Sequence, residues 1–352
     1  MPNWYLGAVL CIAPFFIKVA PQMIAPSSWW FYLKLVSIVS ACLYGFAVKR
    51  REVIAATLCV AVASFVSSNP YGQFEFIQMD AVFCGLLFFA FMLGQKIDAA
   101  TVFKSLAFVC IVECAWIWLN YFGVDPFIYY LNIFGATTAK IIQSGNMYAN
   151  GSLANVNHSA ALVAMTLPFL KKKYWVIPIL TVLIHGTMFP IVCICLVIAF
   201  IFAQKYGKTK FVWLGVLIAA ILALIFSSLD AGFAERLKIW KLFYSWSEIT
   251  LFGQGFGVIP AKFSILSKQV SSETFYNLHN ELLETYAIFG IMGLVCLTYL
   301  LKPFTKVAKY PEIYACASVI LVNSLGNFPF HIAPIFIIFI TCYALLINPG
   351  EK

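Results

Sequence analysis

Twelve apolar runs constrain the fold of this chain more than any other feature of its sequence. Most are close to the roughly 20 residues that a helix needs to cross a bilayer. With 62% hydrophobic and only 11% charged residues, the chain has more apolar surface than a water-soluble core could bury. The sequence therefore predicts an all-α polytopic membrane protein with about twelve transmembrane helices, in a single integral membrane domain over residues 1–352. The runs fall at residues 4–20, 29–48, 52–68, 76–94, 101–122, 152–170, 174–186, 188–203, 211–227, 280–301, 312–327 and 331–347.

The positive charges predict the orientation, because Lys and Arg concentrate on the cytoplasmic side of a membrane protein. Twelve spans with both termini in the cytoplasm place every basic cluster on that side. The net charge of +9 is then a topology signal, and we expect no nucleic-acid partner. Two external segments remain, residues 123–151 and 228–278, so the active surface is expected outside. The basic clusters are Lys49–Arg51, Lys96, Lys171–Lys173, Lys205–Lys210 and Lys302–Lys309.

The stretch at residues 174–203 has two interpretations. It is short for two full spans and could form one long tilted helix. A single helix would place the basic clusters on its two sides on opposite faces of the membrane. Gly186 and Pro190 also suit a tight break, so we predict two helices.

The larger external segment contains an amphipathic helix in "FAERLKIWKLFYSW", ahead of the tenth span. Apolar and charged side chains alternate there at helical spacing, which is typical of a helix in the membrane interface. This helix either has a functional role at the membrane or only rests on the membrane surface. Phe233, Leu237, Trp240 and Tyr244 share the apolar face, and Glu235, Lys238 and Lys241 point away from it.

Two motifs that suggest chemistry do not support it in context. All eleven cysteines lie within predicted spans, where they behave as small hydrophobic residues, and no His or carboxylate stands beside them at metal-ligand spacing. The stretch "GQGFG", Gly253–Gly257, lacks the Lys-Ser/Thr of a phosphate loop, so we interpret it as a glycine-rich turn. We therefore expect no metal and no cofactor.

Polar residues at the ends of apolar runs are the candidate site. "NLHNELLETYAIFG", residues 277–290, brings two amides, a histidine and two carboxylates to the start of the tenth span. Asn155, Asn157 and His158 precede another span and are candidate substrate-binding residues, with helix N-capping as the alternative. His185 stands at an outer helix end and is a further candidate, with an end-cap role as its alternative.

Three stretches in order, "GSLANVNHSAALVAMTLP", "ERLKIWKLFYSWSEITLFGQGFG" and "LHNELLETYAIFGIMG", resemble the O-antigen ligase and polymerase superfamily of bacterial envelope glycosyltransferases. The closing "NFPFHIAP" is similar to the penultimate turn of that family. The resemblance covers roughly residues 145–347. The family has about twelve helices and a large external loop before the third-last span, which agrees with the topology predicted from the charges.

The resemblance implies transfer of a glycan from an undecaprenyl-diphosphate carrier to a sugar hydroxyl, at the periplasmic face of the bacterial inner membrane and without a metal or nucleotide sugar. His279 matches the family histidine, and Arg236 matches the arginine of its external-loop motif. We expect His279 to be the base, with a structural cap of the tenth helix as its alternative role, and Arg236 to bind the diphosphate. The expected orienting neighbours of His279 are Asn280, Glu281 and Glu284. The substrate-binding residues expected to assist Arg236 are Lys238 and Lys241.

One departure from the family leaves the reaction partly open. Many members carry Ser-Arg-Gly where this chain has "HGTMFP", residues 185–190, so the second cation is missing and Lys140 is a speculative substitute. Lipid A core is the expected acceptor, with a growing polysaccharide as the alternative. A lipid-oligosaccharide flippase is the alternative from another class, with Lys34, Asp80 and Glu113 in its pathway. For Glu113 a structural hydrogen bond is the other interpretation.

Overall fold

The computed structural model describes residues 38–66, 85–124, 151–153, 155–185, 188–205, 221, 225, 231–248, 250–266, 277–305, 310–326 and 333–348. Over these residues the chain is all-helical. The helices are α1 (Ile38–Ala47), α2 (Arg51–Val66), α3 (residues 85–93), α4 (Ala99–Tyr121), α5 (Val156–Thr166), α6 (Val176–His185), α7 (Met188–Lys205), α8 (Ala231–Trp246), α9 (Val258–Leu266), α10 (Glu281–Leu301), α11 (Pro311–Asn323) and α12 (Ala333–Ile347).

Ten of the described helices coincide with predicted apolar runs, and residues 174–203 form two of them, α6 and α7. The other two, α8 and α9, lie in the predicted external segment 228–278, where only the first was predicted. Two described helices are long and apolar enough to cross a membrane: α4, and α10 together with the 3₁₀ turn that follows it. Shorter apolar helices occur at Ile38–Ala47, Pro190–Ile201, Pro311–Asn323 and Pro334–Ile347. The all-helical class is therefore confirmed for the described residues, and the set of twelve spans stays a prediction. The first run and most of the ninth lie outside those residues.

The chain divides into two compact units, one of which has α5 at its centre. This helix contacts α4, α6, α7 and α11. Its residues from His158 to Thr166 are all buried, and three of them are alanines, which let neighbouring helices approach closely. The Asn155 side chain caps the start of α5, and Pro168 stands in the 3₁₀ turn after its end.

The other unit contains α1, α2, α3, α8, α9, α10 and α12. In this unit α10 packs against α2, and α9 contacts α10. The 3₁₀ turn at Lys302–Thr305 contacts both α10 and α12. Phe304 stacks on Phe339 there with ring centroids 5.5 Å apart, and Tyr343 joins the same aromatic cluster. The unit therefore has its own apolar core, and α10 lies along it.

A break at Gly290 divides α10 into two helical segments. Gly290 has φ 66° and ψ −155°, which are not helical values. The amides of Ile291 and Met292 would bond to carbonyls four residues back in an unbroken helix. They instead donate to the carbonyls of Thr250 and Leu251, both at 3.1 Å. The chain segment before α9 therefore replaces part of the helix as a hydrogen-bond partner.

The same segment also satisfies the carbonyls that the break leaves without helical donors. The carbonyl of Ala287 accepts from the Gln254 amide at 2.8 Å, and that of Ile288 accepts from the Gly255 amide at 3.1 Å. Two intrahelical bonds are thus replaced by four bonds to the residues around the glycine turn. The turn predicted at "GQGFG" is therefore a docking element for α10.

Candidate functional site

The start of α10 is held by the Asn280 side chain and by the chain that follows α11. Asn280 Oδ1 accepts from two amides of the first helical turn, at 3.1 and 3.2 Å, which is an N-cap. Its Nδ2 donates to the Leu325 carbonyl at 3.2 Å, and the Glu281 amide donates to the Ser324 carbonyl at 2.9 Å. The Asn280 amide group therefore holds the backbone of the site in place.

A buried carboxylate fixes the turn that leads into α10. Glu284 is fully buried, and the Leu278 amide donates to its Oε1 at 2.7 Å. The His279 amide also bonds to this carboxylate. On the other side of the turn, the Leu278 carbonyl accepts from Trp240 Nε1 at 2.7 Å. Glu281 is buried three residues before Glu284, so both carboxylates lie on the protein side of the helix.

His279 itself has a left-handed backbone, with φ at 52°. This region is uncommon for residues other than glycine, although histidine is among those that enter it more often. An unfavourable backbone conformation persists only where its surroundings enforce it, and such positions concentrate at functional sites. Here the enforcing contacts are those of Leu278, Glu284 and Asn280 described above. His279 is half-buried, at the point where the turn meets the helix.

Helix α8 presents Trp240 to this turn and Arg236 to the Gly326 carbonyl. A helix is present where the amphipathic helix was predicted in the external segment, and part of it packs within the protein. Ile239 and Phe243 are buried, whereas Tyr244, predicted on the apolar face, is 67% exposed. Arg236, Ile239, Trp240 and Phe243 stand at spacings of three and four residues, so they share one face of the helix. Arg236 therefore lies on the packed side of α8.

Three consecutive carbonyls bring the candidate residues together. The Ser324 carbonyl binds the Glu281 amide, the Leu325 carbonyl binds the Asn280 side chain, and the Gly326 carbonyl accepts from Arg236 Nη1. The segment Ser324–Gly326 thus connects α8 with the start of α10. Arg236, His279, Asn280, Glu281 and Glu284, predicted as one group from separate motifs, meet in this part of the fold.

The predicted lysines lie away from this group. Lys238 and Lys241 are exposed on α8, on the side of the helix that does not face the turn, so they are available to an external ligand. Lys140 lies outside the described residues.

Asn155, Asn157 and His158 belong to the other compact unit. Asn155 Oδ1 accepts from the amides of Asn157 and His158, at 2.9 and 3.3 Å. The N-cap interpretation of Asn155 is therefore confirmed. His158 is buried within α5, and Asn157 is partly exposed at its first turn. α6 ends at His185, as predicted for a helix end, and the side chain of His185 lies outside the part of the chain that the structure describes.

Glu113 has the structural role that was one of its two interpretations. It is fully buried in α4 and accepts two hydrogen bonds from Ser152, one from the amide at 3.0 Å and one from the hydroxyl. The neighbouring Gly151 amide donates to Asn120 Oδ1 at 2.9 Å. These contacts hold the turn at residues 151–153 against α4.

Some contributors to the site were not predicted. Trp240 was placed on an apolar face, yet its indole nitrogen binds the turn next to His279. Its position four residues after Arg236 was the available signal. The carbonyls of Ser324–Gly326 carry no side-chain signal at all. Among the described residues no group of His, Cys, Asp and Glu is arranged to hold a metal ion.

The chain was also compared with known proteins. No protein-family model, no curated protein and no solved structure matches it.

Proposed function

We propose that this chain is a glycosyltransferase similar to the O-antigen ligases, which transfers a glycan from an undecaprenyl-diphosphate carrier to a sugar hydroxyl. The observation that carries the proposal is the convergence of Arg236 and the start of α10 on the segment Ser324–Gly326. The reaction needs a proton acceptor and a cation that stabilises the departing diphosphate at one site. The segment binds Arg236 and also binds Asn280 and Glu281, the two residues that follow His279, so an arginine and a histidine are available for these two roles.

Each reacting group has a proposed role. His279 takes the proton of the acceptor hydroxyl, and the oxygen of that hydroxyl forms a bond to the anomeric carbon of the donor. The bond from that carbon to the diphosphate oxygen breaks, and undecaprenyl diphosphate leaves with the electron pair. Arg236 binds the phosphate oxygens through its planar guanidinium, which matches their geometry at two points. Lys238 and Lys241 add positive charge on the exposed side of α8.

The remaining residues of the group position His279. Glu284 binds the amides of the turn, and Asn280 caps the helix that follows. Neither contact involves the imidazole ring directly, so both act through the backbone. These contacts fix the backbone from which the imidazole extends, so the base starts from a defined position.

The proposed location is the bacterial inner membrane, with both termini in the cytoplasm and the site at the periplasmic face. The apolar composition and the two long apolar helices support the membrane, and the distribution of Lys and Arg supports the orientation. A lipid-linked donor reaches such a site from within the bilayer. Lipid A core is the proposed acceptor, and a growing polysaccharide chain is the acceptor in the polymerase alternative.

Deletion of the protein in its native host distinguishes this reaction from lipid transport. We expect carrier-linked glycan to accumulate on the outer leaflet, where mild periodate oxidation and a membrane-impermeant hydrazide label it in spheroplasts. Expression of the wild-type chain should clear it, and the His279→Gly variant should not. Accumulation on the inner leaflet, protected from the hydrazide, would contradict the proposal and indicate a flippase.

A further inference from the structure

The residues around the glycine turn lie beside the middle of α10. Thr250 and Leu251 bind the amides of Ile291 and Met292, and Gln254 and Gly255 bind the carbonyls at the end of the first helical segment. Gly290 follows Glu281 by nine residues, so the break lies about 13 Å along the helix from its start, at 1.5 Å per residue. The segment Thr250–Gly255 therefore lies beside the middle of α10 and not beside its start at Glu281.

Exposed apolar side chains occur on α10 both before and after the level of this segment. Leu282 stands in the first turn and is 43% exposed, and Val295 beyond the break is 57% exposed. Ile291 and Met292 are also exposed. If α10 crosses a bilayer, this exposed apolar surface faces the hydrocarbon. The segment Thr250–Gly255, which binds Met292, then lies between the two ends of that surface.

The segment adds its own apolar side chains to this surface. Leu251 is 52% exposed and Phe252 is 43% exposed, and both precede the buried Gly253. Consecutive large apolar side chains exposed to water are unfavourable by about 25 cal/mol per Å² of apolar area. The same side chains in contact with hydrocarbon carry no such cost.

The backbone of the segment also meets the condition for irregular chain at membrane depth. Peptide groups in hydrocarbon must bind protein partners, because no water is available there. The four bonds exchanged with α10 satisfy amides and carbonyls on both sides of the break. The side chain of Gln254 accepts from Lys262 Nζ at 3.1 Å, so its polar group is also paired.

Two glycines make this close approach possible. A Cβ on Gly253 would collide with the Ile288 carbonyl, and a Cβ on Gly290 would collide with the Gly253 amide and the Leu251 carbonyl. Both glycines have positive φ, 77° and 66°, which other residues adopt at a cost. The backbones of the segment and the helix are therefore in direct contact.

We infer that Thr250–Gly255 is a re-entrant segment, which enters the hydrocarbon layer beside the break in α10 and places Leu251 and Phe252 against lipid acyl chains. The external segment predicted over residues 228–278 then includes a part within the membrane. The inference depends on α10 crossing the bilayer and is independent of glycosyl transfer. A protein that lacked transferase activity would still have this segment in lipid.

Site-specific photocrosslinking tests the inference in the full-length chain. Phe252→p-benzoylphenylalanine replaces one aromatic side chain by another that inserts into nearby C–H bonds on illumination. The protein is reconstituted into phosphatidylethanolamine and phosphatidylglycerol vesicles, illuminated and analysed by intact mass. The expected result is a mass shift of one phospholipid. The same replacement at Leu251 gives an independent measurement in case the first variant does not fold.

Two control positions define the result expected with lipid contact and the result expected without it. Val295→p-benzoylphenylalanine, on the exposed surface of α10, should give the same lipid adduct. Glu248→p-benzoylphenylalanine, on an exposed residue ahead of the segment, should give none. Crosslinks from positions 251 and 252 only to protein, or no adduct at either, would overturn the inference. Absence of a lipid adduct at Val295 would overturn it too, because α10 would then not face lipid.

Discussion

At the scale of single residues, His279 shows how backbone and chemistry can be tested separately. Its φ of 52° lies in the left-handed region, which costs most residues roughly 1–2 kcal/mol and glycine almost nothing. Alanine at this position removes the imidazole but keeps the unfavourable backbone. Glycine removes the imidazole and suits the backbone, so it isolates the chemical role of the ring.

We expect His279→Gly to keep its free energy of unfolding within about 1 kcal/mol of wild type while losing glycan transfer by about 100-fold to 10,000-fold, as is typical when a general base is removed. Thermal unfolding in detergent gives the first quantity, and transfer normalised to folded protein gives the second. Added imidazole should restore part of the activity, since it can occupy the vacated space and accept the proton. If transfer by the glycine variant equals that of wild type, His279 is a helix end-cap and the base lies elsewhere.

At the scale of elements, hydropathy predicted where helices form but not how one of them is interrupted. The run at 280–301 agrees with α10 to within one residue at its start. The break at Gly290 was not predicted, because a glycine flanked by apolar residues leaves the average hydropathy of the run unchanged. Its hydrogen-bond partners stand about 40 residues earlier in the chain, at Thr250–Gly255, and a local pattern holds no information on such a pairing.

The contact between Gly253 and Gly290 gives a prediction with a matched control in the same chain. Gly253 and Gly123 both have positive φ, 77° and 81°. Nothing lies within 4 Å of a Cβ on Gly123, whereas a Cβ on Gly253 collides with backbone. We expect Gly123→Ala to cost about 1 kcal/mol of stability and Gly253→Ala to cost about 3 kcal/mol or more. Unfolding midpoints in detergent compare them.

Equal losses in the two alanine variants would mean that backbone conformation, and not the docking of the segment on α10, determines the stability at Gly253.

At the scale of the whole molecule, the sequence predicted the class of fold better than the contacts between distant residues. Apolar runs predict helices because a helix that crosses a bilayer needs a run of about 20 apolar residues. The N-cap at Asn155 follows from the local preference for Asn at a helix start. Arg236 and Gly326 stand 90 residues apart, and their contact depends on how α8 packs. The apolar pattern of α8 did not indicate which of its side chains pack within the protein, since Phe243 is buried and Tyr244 is exposed.

The reaction of the purified protein with a lipid-diphosphate-linked glycan and a candidate acceptor tests the central claim most directly. The wild-type chain should form the glycan–acceptor product and release undecaprenyl diphosphate. Arg236→Lys keeps the charge but loses the two-point contact with phosphate, so we expect it to lose most of the transfer at unchanged protein level. Arg51→Lys, at an exposed arginine at the start of α2, should transfer as wild type does. Equal transfer by Arg236→Lys and wild type, or no product with any acceptor, would contradict the proposed site and its reaction.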